Sequence, residues 1–359
     1  MRLARAVPGR RERVGELLAR VDHWRCASRS SAGNTGSKEW HHFCVFGERV
    51  DLLLNLSLMD GVQTGIDPGG RVARLAVLAR DADGWVGDVD RFEPRDVRLD
   101  AGSVEARLGE THLRLEGGAY GIDMRLADGS VRASLLLEPL VTPAITDHQP
   151  LGRGGTMRWL VVPLLRADGE LWVRGRRHVL RSAPAYHDHD WGVFRWGEGF
   201  TWNWAVALPG DPRTPWVMAA TQIGDERRAQ RFANSFLLWR DDRLCRAIRG
   251  GGICTESRGL LRPRGRALRV PRIMTLASPG SAVDVPRRYE VRAEEAGDVV
   301  ELAIDLEDFA QIAIPNDDAA WSTTLLSECC GRARAEGRVR GERVELDGPA
   351  LLELVHVAR

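Results

Sequence analysis

The chain has 359 residues, of which 43% are hydrophobic, and its 51 basic and 50 acidic residues leave a net charge of +1. This hydrophobic fraction allows a substantial core, and the length is ample for two domains. The charge balance gives no electrostatic reason to expect a nucleic acid or an anionic membrane as a partner. Lys38 is the only lysine, which excludes lysine-based covalent chemistry from the rest of the chain.

Cysteine usage and the N-terminal residues bear on the compartment. The six cysteines include no C-x-x-C pair, and six in a chain this long do not make a disulfide scaffold. The N-terminus is basic but lacks the apolar segment of a signal peptide, and no apolar run is long enough to span a bilayer. We therefore expect a cytoplasmic protein without an integral membrane segment.

Residues 1–37 differ from the rest of the chain. Val14, Leu17, Leu18, Val21 and Trp24 recur at helical spacing, and a Ser/Gly/Asn-rich linker follows from residue 28 to residue 37. The pattern predicts a short helix that docks on the following domain or frays. A helix lying on a membrane surface is the alternative.

From Glu39 onward the sequence is typical of β-structure. Short alternating runs are separated by turn signals at spacings of roughly ten residues. The signals are Asp60-Gly61, Asp83-Gly84, Asp128-Gly129, Asp168-Gly169, Arg340-Gly341 and Asp347-Gly348. Many short antiparallel strands indicate a sandwich or barrel, and the length favours two barrel-like halves that divide near residues 181–185.

The segment 186–192 is the densest in groups that can donate, accept or move a proton. As a strand, it would place His187 and His189 on one face and Tyr186, Asp188 and Asp190 on the other. The histidine face could hold a metal ion or only structural hydrogen bonds. A carboxylic acid on the other face, desolvated beside indoles, could hold a proton near neutral pH and protonate an alkene or a carbonyl.

Aromatic residues cluster around this segment and at residues 39–43. Indoles stabilise a developing cation and stack on polyenes, although tryptophan also simply fills barrel cores. Glu39 is a second acid beside a large apolar surface. The residues expected to contact a substrate are Trp40, His42, Trp159, Trp191, Trp202 and Trp204.

Two motifs resemble a known family. Tyr186-His187-Asp188-His189-Asp190-Trp191-Gly192 resembles the Y-H-D-H-N-W-G signature of the carotenoid 1,2-hydratase family. Glu39-Trp40-His41-His42-Phe43 is similar to the E-W-W-Y-F-type opening of its AttH-like relatives.

The resemblance implies an all-β fold of two tandem lipocalin-like (calycin) β-barrel domains, at residues 38–180 and 181–359, after a short N-terminal helical segment. It also implies an apolar pocket at or near their junction, and a wider group that includes lipocalin-like cyclases and Diels–Alderases.

By motif match, Tyr186 and Asp188 correspond to the residues proposed to bind and protonate the polyene in the hydratases. The family's upstream His-x-Trp pair corresponds to Met157-Arg158-Trp159, which lacks the histidine. Asp190 replaces an asparagine, and His41-His42 replaces Trp-Tyr. These departures favour a divergent substrate.

We therefore expect an enzyme without an organic cofactor that acts on a lipophilic, unsaturated natural product. Asp188, Tyr186 and Glu39 are the expected catalytic residues. The reaction would be acid-assisted cyclisation, a pericyclic step or hydration, which makes the enzyme an isomerase or a lyase. A carrier without chemistry and metal-assisted chemistry at His187 and His189 are the alternatives.

Overall fold

The computed structural model describes residues 10–25, 36–60, 71–100, 102–152, 154–262, 267–272, 284–317 and 323–358. Most of the predicted linker at residues 28–37 and the glycine of the predicted turn at residues 60–61 lie outside these ranges. The chain divides into two compact units, one of Met1–His148 with Gly155–Arg195 and one of Gln149–Gly154 with Trp196–Arg359.

The first sheet begins after a single α-helix. Its order is β4-β3-β2-β1-β12-β11-β9-β8-β7-β6-β5, and β10 pairs with β11. The elements are α1 (Arg10–Val21), β1 (Ser37–Phe46), β2 (Asp51–Asp60), β3 (Arg71–Asp81), β4 (Gly84–Phe92), a 3-10 turn (Pro94–Asp96), β5 (Val97–Leu99), β6 (Ala106–Leu108), β7 (Thr111–Glu116), β8 (Ala119–Arg125), β9 (Val131–Pro139), β10 (Ala144–Leu151), β11 (Gly155–Val173) and β12 (Arg176–Val193).

The sheet curves around one hydrophobic core. Alternate residues of each strand point inward, as the two-residue period of a β-strand requires. Along β2 these are Leu52, Leu54, Leu56 and Leu58. Leu18 of α1 joins the same core with none of its surface exposed, so the helix docks on the first unit.

The second unit is built around a separate sheet of order β16-β15-β14-β13-β22-β21-β20-β19-β17, with β18 paired to β20. It has its own hydrophobic core. Its elements are β13 (Phe200–Ala207), β14 (Trp216–Asp225), β15 (Arg231–Arg240), β16 (Arg243–Arg249), a 3-10 turn (Gly250–Gly252), β17 (Ile253–Arg258), β18 (Arg269–Val270), β19 (Arg288–Glu295), β20 (Asp298–Pro315), β21 (Thr323–Val339) and β22 (Glu342–Ala358).

The predicted fold class, two tandem barrel-like β-domains after a short helix, is confirmed. Within the described residues, no helix is long and apolar enough to cross a membrane. None of the five cysteines that the structure describes forms a disulfide.

Three details differ from the sequence prediction. The boundary between units lies at Arg195, and not at residue 180, because β12 continues through Pro184 and pairs with β1 and β11 on either side. Helix α1 ends at Val21, so Trp24 lies beyond it.

The third difference concerns the turn signals. Asp168-Gly169 and Asp347-Gly348 lie inside β11 and β22. At Gly169, φ is +142° and a Cβ atom would lie 2.2 Å from the carbonyl oxygen of Ser134. The glycine therefore permits a bulge and a close backbone approach here, and no reversal of the chain.

Candidate functional site

Strand β12 carries the segment 186–192 through the middle of the first sheet. His187 lies opposite Phe43 of β1, and Asp188 lies opposite His42. His187 and His189 point into the unit with Phe43, whereas Tyr186 and Asp188 point to the other face of the sheet. The two faces separate as the alternation predicts.

On the outward face, Asp188 is held by two donors. The Tyr186 hydroxyl donates to Asp188 Oδ2 over 2.9 Å, and Trp159 Nε1–H donates to the same oxygen over 3.2 Å. The other oxygen, Oδ1, is buried and has no hydrogen-bond partner among the residues that the structure describes. Asp188 itself is only 5% exposed. The two oxygens of Asp188 thus differ, because one is fixed as an acceptor of two hydrogen bonds and the other is buried without one within the described residues.

The neighbours of Asp188 have defined protonation states. Burial lowers the pKa of His42, although the charge of Asp188 opposes this shift. Burial, followed by the charge and hydrogen bond of Asp188, raises the pKa of Tyr186 well above its ordinary value. At neutral pH, His42 is therefore neutral, with Nε2 2.9 Å from Cys44 Sγ, and Tyr186 is a phenol that can only donate to Asp188.

Indoles lie beside this acid on both neighbouring strands. Trp40 of β1 and Trp159 of β11 are both register partners of Asp190, two residues beyond Asp188. Trp159 is 2% exposed, and Trp40 packs edge-on against Phe194 with 6.2 Å between ring centroids. The outward patch is therefore Trp40, His42, Trp159, Tyr186 and Asp188.

Glu39 and Trp191, two of the predicted site residues, lie on the opposite face. Glu39 shares the inward parity of His41 and Phe43 along β1, and its Oε1 accepts hydrogen bonds from His189 Nε2 (2.8 Å) and from the Arg25 backbone N–H (2.7 Å). Trp191 belongs to the inner core. The sheet therefore separates Glu39 from Asp188, and the two acids cannot act together on one atom.

Two further predicted residues, Trp202 and Trp204, lie on β13 of the second unit. They point away from that unit's core, which contains the alternate residues Ala205 and Ala207. Trp202 Nε1–H donates to Glu353.

The inward face holds a polar cluster that the sequence reasoning missed. Asp22, just beyond α1, is completely buried. Its oxygens accept from the Tyr120 hydroxyl at 2.5 Å and lie 3.1 Å from His187 Nε2 and 2.9 Å from His189 Nδ1. No local pattern reveals this, because Asp22 is 98 to 167 residues from these partners.

Charges and hydrogen bonds within this cluster shift the pKa values of its members. Burial raises the pKa of Asp22, but the charges and hydrogen bonds of the histidines outweigh it, and that pKa lies well below its ordinary value. Burial likewise lowers the pKa of His189, but its hydrogen bonds to Asp22 and Glu39 raise it overall. For Tyr120, burial and the charge of Asp22 both raise the pKa. The cluster is therefore an ionic one inside an apolar core.

His41 is the exception within the cluster. Burial, followed by the charge of His189, lowers its pKa well below the ordinary value. Its ring stacks on that of His189 with 3.9 Å between centroids, and Nδ1 lies 3.8 Å from Asp22 Oδ1, too far for a hydrogen bond. Ligand atoms of Asp22, His41 and His189 lie within 4.8 Å of one another.

Solved structures with the same fold confirm the architecture. An AttH candidate protein from Nitrosomonas europaea matches with a TM-score of 0.67 and 14% identity, over 99% of this chain and 100% of the other. Kievitone hydratase from Nectria haematococca matches with a TM-score of 0.56 and 13% identity, over 91% of each chain. CghA matches with a TM-score of 0.59 and 16% identity, over 90% of this chain and 89% of its own.

These likenesses show the fold, because the identities are low. The AttH-like fold implied by the two sequence motifs is thereby confirmed. No protein-family model and no curated protein matches the chain.

Proposed function

We propose that the protein is an enzyme without an organic cofactor that acts on a lipophilic, unsaturated natural product. Asp188 is the acid that starts the reaction, and the outcome is cyclisation, a pericyclic step or hydration. The fold neighbours support the broad class: one is named as a hydratase, and CghA has also been solved with the compound Sch210972.

The proposal depends on the different surroundings of the two carboxyl oxygens of Asp188. Tyr186 and Trp159 both donate to Oδ2, so a proton on this carboxyl group belongs on Oδ1, which is buried and has no partner within the described chain. A buried polar atom without a partner costs about 1–3 kcal/mol. A hydrogen bond from protonated Oδ1 to a substrate would remove that cost and direct the proton toward the substrate atom that accepts it.

The proton balance closes within this site. The Oδ1 proton passes to an alkene carbon or a carbonyl oxygen, and the cation that forms is captured by water or by a second double bond of the substrate. Loss of a proton from the adduct returns it to Asp188. During the transfer, the two donors on Oδ2 stabilise the carboxylate as it forms, while the faces of Trp40 and Trp159 stabilise the cation.

The test compares the wild type with Asp188→Asn. Compounds that co-purify with the protein, and a panel of polyenes and terpenoids, are incubated with each protein in D₂O, and products are analysed by mass spectrometry. The wild type should incorporate solvent deuterium during hydration or cyclisation. The variant should still bind but turn over roughly 10²- to 10⁴-fold more slowly.

Asp123→Asn is the matched control, since Asp123 pairs with Arg114 on the surface of the same sheet. Equal turnover by the wild type and Asp188→Asn would remove Asp188 from the mechanism. If the wild type returned every bound compound unaltered, the protein would be a carrier and not an enzyme.

A further inference from the structure

The buried cluster inside the first unit contains more ionisable groups than its hydrogen bonds can satisfy. Buried polar atoms in folded proteins nearly always have a partner, and an exception needs an explanation such as a bound ion. Both ring nitrogens of His41 are buried without a hydrogen-bond partner in the part of the chain that the structure describes.

Proton counting locates the problem. Both ring nitrogens of His189 face carboxylates, Asp22 and Glu39. Both nitrogens of His187 also face acceptors, the His42 carbonyl oxygen at 2.9 Å and Asp22 at 3.1 Å. With protons alone, these four contacts need two more protons than two neutral imidazoles carry, and His41 is still left unsatisfied.

A divalent cation leaves fewer of these atoms unsatisfied. It replaces the proton that lies between Asp22 Oδ1 and His189 Nδ1, and it gives His41 a partner. We propose that Asp22, His41 and His189 bind a divalent transition-metal ion inside the first unit.

The surrounding hydrogen bonds fit this role. Metal-bound histidines usually donate their other ring N–H to a carboxylate or a backbone carbonyl. His189 Nε2 has Glu39 as that partner. This contact leaves Nδ1 of His189 directed toward Asp22.

The distances are compatible with three ligands in a tetrahedral arrangement. Metal–ligand bonds of about 2.0–2.1 Å place tetrahedral ligands about 3.3 Å apart. The contacts of Asp22 Oδ1 with His189 Nδ1 and His41 Nδ1, at 2.9 and 3.8 Å, bracket this value. The rings of His41 and His189 are only 21° from parallel, so the His41 ring must tilt for its lone pair to reach the ion.

The donors define the class of ion and its role. Imidazole and carboxylate suit Zn²⁺ and its first-row neighbours, and Cys44, on the outward face beside His42, supplies no sulfur. All three ligands are completely buried within the apolar core, which favours a structural role for the ion. The ion would tie the segment after α1 to β1 and β12.

The test is refolding of the full chain, because the buried ligands are accessible only in the unfolded state. Wild-type protein is refolded with Zn²⁺ or with a chelator, freed of loosely bound metal, and analysed for zinc content and melting temperature. We expect about one ion per chain and a higher melting temperature after refolding with Zn²⁺.

His41→Phe should abolish the retained zinc and the difference in melting temperature, while its ring keeps the stacking contacts with Trp24 and His189. The control is the same substitution at His112, which lies beside Glu105 on the unit's outer face. The proposal is overturned if refolded wild type retains no zinc, or if His41→Phe retains as much as the wild type. X-ray absorption that shows sulfur ligands would also overturn it.

Discussion

The Asp22→Asn substitution tests the inner cluster most directly. The carboxylate accepts from Tyr120 and contacts His187 and His189, and all four side chains are buried in an apolar core. An asparagine has nearly the same shape, but it removes the negative charge and turns one acceptor oxygen into an N–H donor. That donor then faces either a histidine N–H or the Tyr120 hydroxyl.

The magnitude follows from the burial of these groups. Removing one partner of a buried ion pair costs about 3–5 kcal/mol, because the remaining charge is left without compensation. A typical protein has only about 5–15 kcal/mol of stability in total. With a urea dependence of roughly 2–3 kcal/mol per M, the midpoint for unfolding of the first unit should fall by roughly 1–2.5 M.

The assay must report on one unit at a time, because the second unit has its own core. Urea unfolding with chelator present, followed by hydrogen exchange and mass spectrometry of peptides from β1 and β12, isolates the first unit. Asp83→Asn is the control, since Asp83 forms an exposed ion pair with Arg176. A loss below about 1 kcal/mol for Asp22→Asn would refute the view that this cluster holds the N-terminal segment in place.

Three further changes give outcomes that the structure fixes. Tyr120→Phe should cost about 1.5–3 kcal/mol in urea unfolding, the value of a hydrogen bond to a charged group, here Asp22; no loss would mean that Asp22 finds another donor. Gly192→Ala should cost about 1–3 kcal/mol by the same measurement, because its Cβ would lie 2.1 Å from a β11 carbonyl oxygen. Burial and then Arg228 lower the pKa of His356 to about 3. Unfolding therefore takes up a proton between pH 6.5 and 3. The free energy of unfolding should decrease as the pH is lowered through this window, by up to about 1.4 kcal/mol per pH unit. His356→Gln should flatten that part of the profile, and an unchanged slope would contradict the assignment.

The sequence was most informative where the reasoning stayed within one strand. The two-residue period alone places His187 and His189 on one face and Tyr186 and Asp188 on the other, and the structure shows this separation. Trp159, one strand earlier, was also expected beside Asp188 and donates to it.

Contacts between residues far apart in the sequence could not be predicted from local sequence patterns. Glu39 lies beside Trp40 and His42 in the sequence, but as an odd-numbered residue of β1 it points to the inner face of the sheet. Which histidine it contacts is seen only from the pairing of Glu39 with Trp191 in β12. Asp22 lies at the end of a helix with no motif of its own. The position of such a residue depends on how α1 docks, which no local spacing encodes.

Proline and glycine signals were misleading for a related reason. The predicted domain boundary at residues 181–185 contains Pro184, and Asp168-Gly169 was predicted to form a hairpin turn. Both lie inside long strands: β12 pairs with β11 on both sides of Pro184, and β11 pairs with β9 and β12 beyond Gly169. A local preference of about 1 kcal/mol is easily outweighed by the hydrogen bonds and the buried surface of neighbouring strands.

The two faces of β12 therefore support two separable roles. The inner groups, Asp22, His187, His189 and Glu39, bond to one another inside an apolar core, and buried polar networks of this kind bear on stability. Among the residues that the structure describes, the outer acid, Asp188, has two donors on one oxygen, while the other oxygen is buried without a partner, an arrangement that costs stability. Because the two sets lie on opposite faces of the sheet, changes at Asp22 should act on folding, whereas changes at Asp188 should act on the proposed chemistry.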